Sequence, residues 1–227
     1  MYKNRTYLAV IPARGGSKRL PNKNILDLHG KPLIAWSIEA GLNSKYVDEV
    51  VVSSDSNKVL KLGAAYKAKG IKRPEILASD TASTFDALKH TLDNVEKYDY
   101  IVLLQPTSPL RNATHIDAAI HLLEEKKADA IVSVCPMEHS PLWSNTINSD
   151  LSMKGFLKKE IVGLRSQDLD EYFRVNGAIY ICKIETFLRE ETFFIKDNVY
   201  AFKMDRESSV DIDEEIDFQL ARVILER

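Results

Sequence analysis

The chain has 227 residues, 44% of them apolar and 28% charged, and its 31 basic and 33 acidic side chains leave a formal net charge of −2. At about 150 residues per domain this is one large domain, long enough to bury ~70% of its unfolded surface. The mix excludes a disordered chain, nine Gly and eight Pro exclude a collagen-like or linker-rich one, and the near-neutral balance argues against bulk nucleic-acid binding.

The elements follow in chain order. Tyr7-Leu8-Ala9-Val10-Ile11, closed by Pro12, reads as a strand buried on both faces. A helix is predicted over 32–43, with Pro32 at its first position, and a second strand over 49–53 around Val50-Val51-Val52. A second helix over 57–68 ends before Gly70, and Phe85, Leu88, Leu92 and Val95 lie at helical spacing. A strand at 100–104 stops at Gln105-Pro106. Thr114 reads as the N-cap of the helix carrying Ile116, Ala119, Ile120 and Leu123, and a fourth strand covers 130–134. From 136 to 173 the chain is polar and weakly periodic, which suits an inserted arm that packs on another surface, such as a second copy. Strands resume at 175–181 and 198–204. A closing helix over 213–226 carries an apolar stripe of Ile216, Leu220, Val223 and Ile224. The expected fold is therefore α/β, a mostly parallel sheet with helices on both faces, in a single domain spanning 1–227 with an arm at about 136–173.

No apolar run approaches the ~18 residues of a membrane span, and the apolar stretch after the polar start Met1 to Tyr7 is too short for a secretion signal. Cys135 and Cys182 have no Cys-x-x-Cys spacing, which suits two buried thiols in a reducing, cytoplasmic setting. His29, His90, His115, His121 and His139 form no zinc pattern.

Parallel sheets bind ligands at the carboxyl ends of their strands, which singles out four segments. The run Ala13-Arg14-Gly15-Gly16-Ser17-Lys18-Arg19-Leu20-Pro21-Asn22-Lys23-Asn24 follows the first strand and combines two glycines with four cations, as a phosphate-binding loop requires. It matches neither the Gly-x4-Gly-Lys loop of ATPases nor Gly-x-Gly-x-x-Gly, and a solvated basic turn is its bland alternative. In Val210-Asp211-Ile212-Asp213 alternate side chains of an extended segment share a face ~6.6 Å apart, so the two carboxylates can converge on one hard cation such as Mg²⁺. Asp213 also stands where a helix N-cap belongs, and the two roles are compatible. Gln105-Pro106-Thr107-Ser108-Pro109-Leu110-Arg111 is a proline-stiffened turn in which Gln105 could read a polar ligand edge or merely close a loop. Arg174-Val175-Asn176-Gly177 opens a strand that could present Asn176, or could be an ordinary turn signal, and Arg165 in the arm could pair with a carboxylate.

Taken together and in this order, Ile11 to Lys18 with Lys23-Asn24, Leu77-Ala78-Ser79-Asp80-Thr81, Leu103 to Arg111, Asn176 to Tyr180 and Val210 to Asp213 resemble the N-acylneuraminate cytidylyltransferases, or CMP-sialic acid synthetases. The resemblance spans nearly the whole chain. It implies a Rossmann-like nucleotidyltransferase domain with a dimerisation arm, hence a homodimer. It also implies transfer of CMP from CTP to a nine-carbon 2-keto sugar acid, with Mg²⁺ and release of pyrophosphate. It assigns Arg14, Gly16, Ser17, Lys23 and Asn24 to the nucleotide, chiefly its phosphates, and Arg73, Ala82 and Thr84 to the surroundings of the cytidine. Gln105, Asn176, Tyr180, Phe193 and Phe194 would line the sugar pocket. Arg165 would reach the sugar carboxylate from the partner subunit, and Asp211 and Asp213 would hold the metal. Arg14, Lys23, Asp211 and Asp213 would act catalytically. Several family members carry Lys after His-Pro-Leu in the arm, whereas this chain has Ser140-Pro141-Leu142-Trp143, which suits a less hydroxylated acid such as legionaminic acid. The alternatives are a legionaminic or pseudaminic acid enzyme and, from another class, a non-catalytic nucleotide binder on the same fold.

Overall fold

The structure is a computed structural model that describes residues 2–79 and 81–227; Asp80, part of the second sequence motif, lies outside the described residues, as does Met1. Nine strands and six helices alternate through most of it. They are β1 (Tyr7–Pro12), β2 (Asp27–Leu28), β3 (Lys31–Pro32), α1 (Leu33–Leu42), β4 (Glu49–Ser54), α2 (Asn57–Ala65), β5 (Lys69–Lys72), α3 (Thr84–Leu92), β6 (Tyr100–Leu103), α4 (Ala113–Lys126), β7 (Ala130–Pro136), β8 (Phe173–Lys183), α5 (Ile184–Glu190), β9 (Val199–Lys203) and α6 (Glu215–Leu225).

Seven strands form one sheet in the order β5-β4-β1-β6-β8-β7-β9. β5, β4, β1 and β6 pair in parallel, as do β7 and β9, while β8 runs antiparallel to both β6 and β7. The chain leaves β1 toward β4 on one side and later returns to β6 on the other. That reversal opens a crevice at the carboxyl end of β1. Side chains of β1 alternate between the two faces. Tyr7, Ala9 and Ile11 join a cluster with α1 and α4, while Leu8 and Val10 join one with α3 and α5. Burial on both faces is why these strands appear in the sequence as unbroken apolar runs.

A third cluster positions the site. Leu20 and Leu28, from the segment after β1, pack with Val210 and Ile212 against Phe218 and Ala221 of α6. With Val210 and Ile212 turned into this cluster, the two-residue period of extended chain turns Asp211 and Asp213 the other way.

Several local expectations are corrected. β5 begins where a helix end was expected. It is an edge strand with only Ile71 buried, so it has no apolar run to announce it. α4 is capped by Asn112, whose side chain accepts from the His115 N–H while His115 Nδ1 accepts from the Asn112 N–H. Thr114 instead donates to the Asn112 side chain. Asp213 does not cap α6: Glu214 holds that position and Asp217 accepts from the backbone N–H of both Asp213 and Glu214, leaving the Asp213 carboxylate for the cleft. The stripe of α6 is largely inverted, because Ile216, Leu220 and Val223 are exposed and Phe218 and Ala221 form the buried face, with Ile224 at its edge. The arm at 137–172 holds only two short 3-10 turns, at Pro141–Trp143 and Ser166–Asp168, and exposes Ile147, Leu151, Met153 and Val162.

Candidate functional site

A cleft of about 760 Å³ opens at the carboxyl ends of β1, β5 and β6. Its wall includes Arg14, Ser17, Lys18, Arg19, Lys23 and Asn24 from the loop after β1, Arg73 after β5, Ala82 and Thr84 at the start of α3, Gln105 to Thr107 after β6, and Asp211 and Asp213. The basic loop and the paired carboxylates, read separately from the sequence, therefore share one cavity.

Short contacts brace the basic loop. The Asn24 side chain donates to the Arg14 carbonyl (3.0 Å), so it orients the loop, and the Gly15 N–H donates to Asp55 (2.9 Å). A Cβ on Gly15 would lie 3.0 Å from the Ser56 side chain, whereas one on Gly16 would meet nothing within 4 Å and Gly16 has no positive φ. Nothing among the described residues requires glycine at 16. Arg73 is buried, its Nε has no acceptor among the described residues, and its charge is disfavoured first by burial and then by Arg14, against the help of Asp55. Arg14 and Arg73, together with the N-terminus of α3, concentrate positive charge along the cleft lining.

Facing them, Asp213 accepts from Arg19 (2.8 Å) and Lys23 (3.2 Å). Lys23 is itself buried and also donates to the Ile212 carbonyl, so one cation ties the basic loop to the acidic strand. Asp211 is largely buried. Burial lifts its pKa above the ordinary carboxylate range, and Asp213 lifts it further, while a hydrogen bond with the Thr107 side chain and the charges of Lys23 and Arg174 oppose the rise. Its Oδ1 is buried with no partner. An orphaned carboxylate oxygen beside a second carboxylate fits a hard divalent cation that takes its other ligands from phosphate and water. Among the described residues no group of three or more acidic, His or Cys side chains is placed to hold a metal ion.

The remaining expected residues divide. Gln105 reaches the cleft, and its Oε1 lies 2.6 Å from where a Cβ on Gly177 would stand. Tyr180, Phe193 and Phe194 form an aromatic group (ring centroids 5.4 and 6.2 Å from Tyr180) outside the cleft lining but close enough for Asp211 to raise the Tyr180 pKa, after burial. Phe193 is mostly a core ring, packed at 4.7 Å on Phe187. Asn176 does not come to the cleft. It is 1% exposed, with its amide engaged by core partners. Within one chain Arg165 stands away from the cleft and bonds Asp168 of its own turn. Sequence reasoning missed the roles of Thr107 and Arg19. Both lie inside runs it singled out, but only the folded geometry shows which carboxylate each one holds.

Sheet order and cleft position together define a Rossmann-like α/β fold with its cleft at the carboxyl ends of the parallel strands. A solved CMP:2-keto-3-deoxy-manno-octonic acid synthetase in complex with CTP has the same fold, with a TM-score of 0.74 at 21% identity over 97% of this chain and 98% of that one. The chain belongs to the cytidylyltransferase family, whose model matches residues 8–226. It is 39% identical over 221 residues to an N-acylneuraminate cytidylyltransferase of Escherichia coli O18:K1:H7, covering 97% of this chain and 52% of that protein. It is 35% identical to the CMP-N,N'-diacetyllegionaminic acid synthase of Legionella pneumophila, covering 96% of both. The chain thus spans about half the length of the first relative and nearly all of the second. Among the described residues no helix is long and apolar enough to cross a membrane.

Proposed function

We propose that this chain transfers CMP from CTP to the anomeric hydroxyl of a nine-carbon 2-keto sugar acid and releases pyrophosphate. The observation that carries the reading is the shared cleft, lined both by Arg14, Ser17, Lys23 and Asn24 of the basic loop and by Asp211 and Asp213. The names of the two curated relatives support the substrate class.

In this reading Arg14, Ser17, Lys23 and the open backbone at Gly16 hold the triphosphate, and Arg73, Ala82 and Thr84 surround the cytidine. Phosphoryl-type transfer depends on positioning and charge neutralisation more than on covalent help from the protein. The loop fixes the electrophile, while Gln105 and the Tyr180 group orient the sugar acid for in-line attack, and such alignment can supply ~7–11 kcal/mol of barrier reduction. Asp211 and Asp213 would hold Mg²⁺, which supplies charge neutralisation at the phosphates and lowers the pKa of the attacking hydroxyl. Lys23 and Arg19 hold the Asp213 carboxylate in the cleft wall.

The arm, with its exposed Ile147, Leu151, Met153 and Val162, would pair two copies and carry Arg165 to the partner's sugar acid. The chain should then sediment as a dimer, and a fully active monomer would refute the shared site. Trp143, an apolar ring in the arm where relatives with Lys place a cation, favours a legionaminic-type acid over a more hydroxylated one. A cytoplasmic setting suits the two free, buried cysteines. The decisive experiment is pyrophosphate release from CTP, UTP or GTP against a panel of nonulosonic acids. Turnover should need CTP and one or more of these acids. Nucleotide binding with no release from any acid would leave the non-catalytic alternative standing and sink this one.

A further inference from the structure

We propose that Asn176 is a positioning residue for Asp211, acting through Ser209, and not a contact to the sugar acid; the inference rests on the metal role proposed for Asp211. A primary amide has four hydrogen-bonding directions, and core groups face all four. Oδ1 accepts from the Ser133 hydroxyl (2.6 Å) and the Ala178 N–H (3.2 Å), while Nδ2 donates to Ser209 Oγ (2.8 Å) and faces Met204 Sδ (3.4 Å). With Asn176 at 1% exposure, no direction is left for a ligand.

Asn176 does have a path to the site. Ser209 Oγ in turn donates a hydrogen bond to the Asp205 carbonyl, so the start of the extended segment is pinned from two sides. Three residues on from Ser209, the other end is pinned as well: the Ile212 N–H donates to the Thr107 carbonyl (2.8 Å) and the Ile212 carbonyl accepts from Lys23. Asp211 lies between these anchors, with Val210 in the core on one side of it and Ile212 on the other. Fixing both flanks fixes the direction of a carboxylate whose Oδ1 has no partner of its own. Outer partners that orient a ligating group commonly change metal affinity by ~10–100-fold.

The test compares Ser209→Ala with Ser133→Ala. Both remove a buried hydroxyl bonded to Asn176, but only Ser209 touches the segment leading to Asp211. The readout is the CTP dissociation constant without Mg²⁺ divided by that with Mg²⁺, measured by calorimetry; this ratio reports how well the site couples metal to nucleotide. Sugar-acid KM and melting temperature are measured alongside. Ser209→Ala should lower the ratio about 10-fold and leave the sugar-acid KM within about twofold, while Ser133→Ala keeps the wild-type ratio. An unchanged ratio in Ser209→Ala, an equal loss in both variants, or a rise in sugar-acid KM alone overturns the proposal. Should Ser209→Ala fail to fold, Ser209→Cys carries the same comparison with a weakened acceptor. Asp211→Ala separates the two levels: if it leaves the ratio intact, the metal reading of Asp211 has failed.

Discussion

Gly177→Ala tests the join between the fold and the site. Gly177 has a φ of +75°, and a Cβ added there would stand 2.6 Å from Gln105 Oε1 and 3.8 Å from Asp211 Oδ2. The backbone cost of an L-residue in this region is ~1–2 kcal/mol. At this chain length each kcal/mol moves the melting temperature by ~2–4 °C, so the drop should be about 2–8 °C. The contact acts differently. Carbon and oxygen normally stay at least ~3.3 Å apart, so the Gln105 amide must swing away by the better part of an ångström. A misplacement of that size at a substrate-orienting group costs up to ~100-fold in turnover. Differential scanning fluorimetry and pyrophosphate release measure the two effects separately. In the Gln105→Ala background the added methyl has no amide to displace, so Gly177→Ala should still lower the melting temperature but cost little further activity. Full additivity of the activity losses, or a melting temperature within 1 °C of wild type, would refute the reasoning.

Three further outcomes follow from the same geometry. Asp211→Asn should abolish turnover, by ~1000-fold or more if the charge neutralisation argument holds, while leaving the substrate-free protein as stable as wild type or more so at pH 7. Because burial raises the Asp211 pKa, this group's stabilising contribution is complete below its unfolded value of ~3.9 and is lost as pH rises through the higher native value. Melting scans from pH 4 to 7 should show that loss in wild type and not in Asp211→Asn, and a variant clearly less stable at pH 7 would contradict it. Arg111→Met should lower the melting temperature by several degrees. Arg111 is fully buried, with its pKa pulled down to about 9 by burial alone, and it donates to Ser37 Oγ (2.7 Å) and to the Gln105 and Ala178 carbonyls (both 3.3 Å). Each abandoned acceptor costs ~1–3 kcal/mol, partly offset by removing a cation with no carboxylate partner among the described residues, so an unchanged or raised melting temperature would show the offset to be complete. Arg14→Ala should raise the CTP KM or lower kcat in pyrophosphate release. A change confined to sugar-acid KM would remove Arg14 from the nucleotide side.

What could be read from the chain beforehand depended on how many faces of each element are buried. The central strands β1, β4, β6 and β7 have core on both sides and show up as apolar runs. β5 buries one residue at the sheet edge and does not. Helix α6 has two apolar faces, and periodicity alone cannot say which one the core takes. Phe218 and Ala221 are selected because they meet Leu20, Leu28, Val210 and Ile212. That choice matters for the site, since it presses the segment after β1 against the segment bearing the carboxylates. The charged parts of the cleft were legible because glycine beside four cations, and alternating aspartates, admit few other uses. Asn176 could not be placed from local pattern: a polar side chain at the mouth of a strand looks the same in sequence whether it faces ligand or core. Only the positions of Ser133 and Ser209, 43 residues before it and 33 after, decide the matter. Long-range pairing of this kind is what local pattern cannot carry, and here it separates the side chains that line the cleft from those packed away from it.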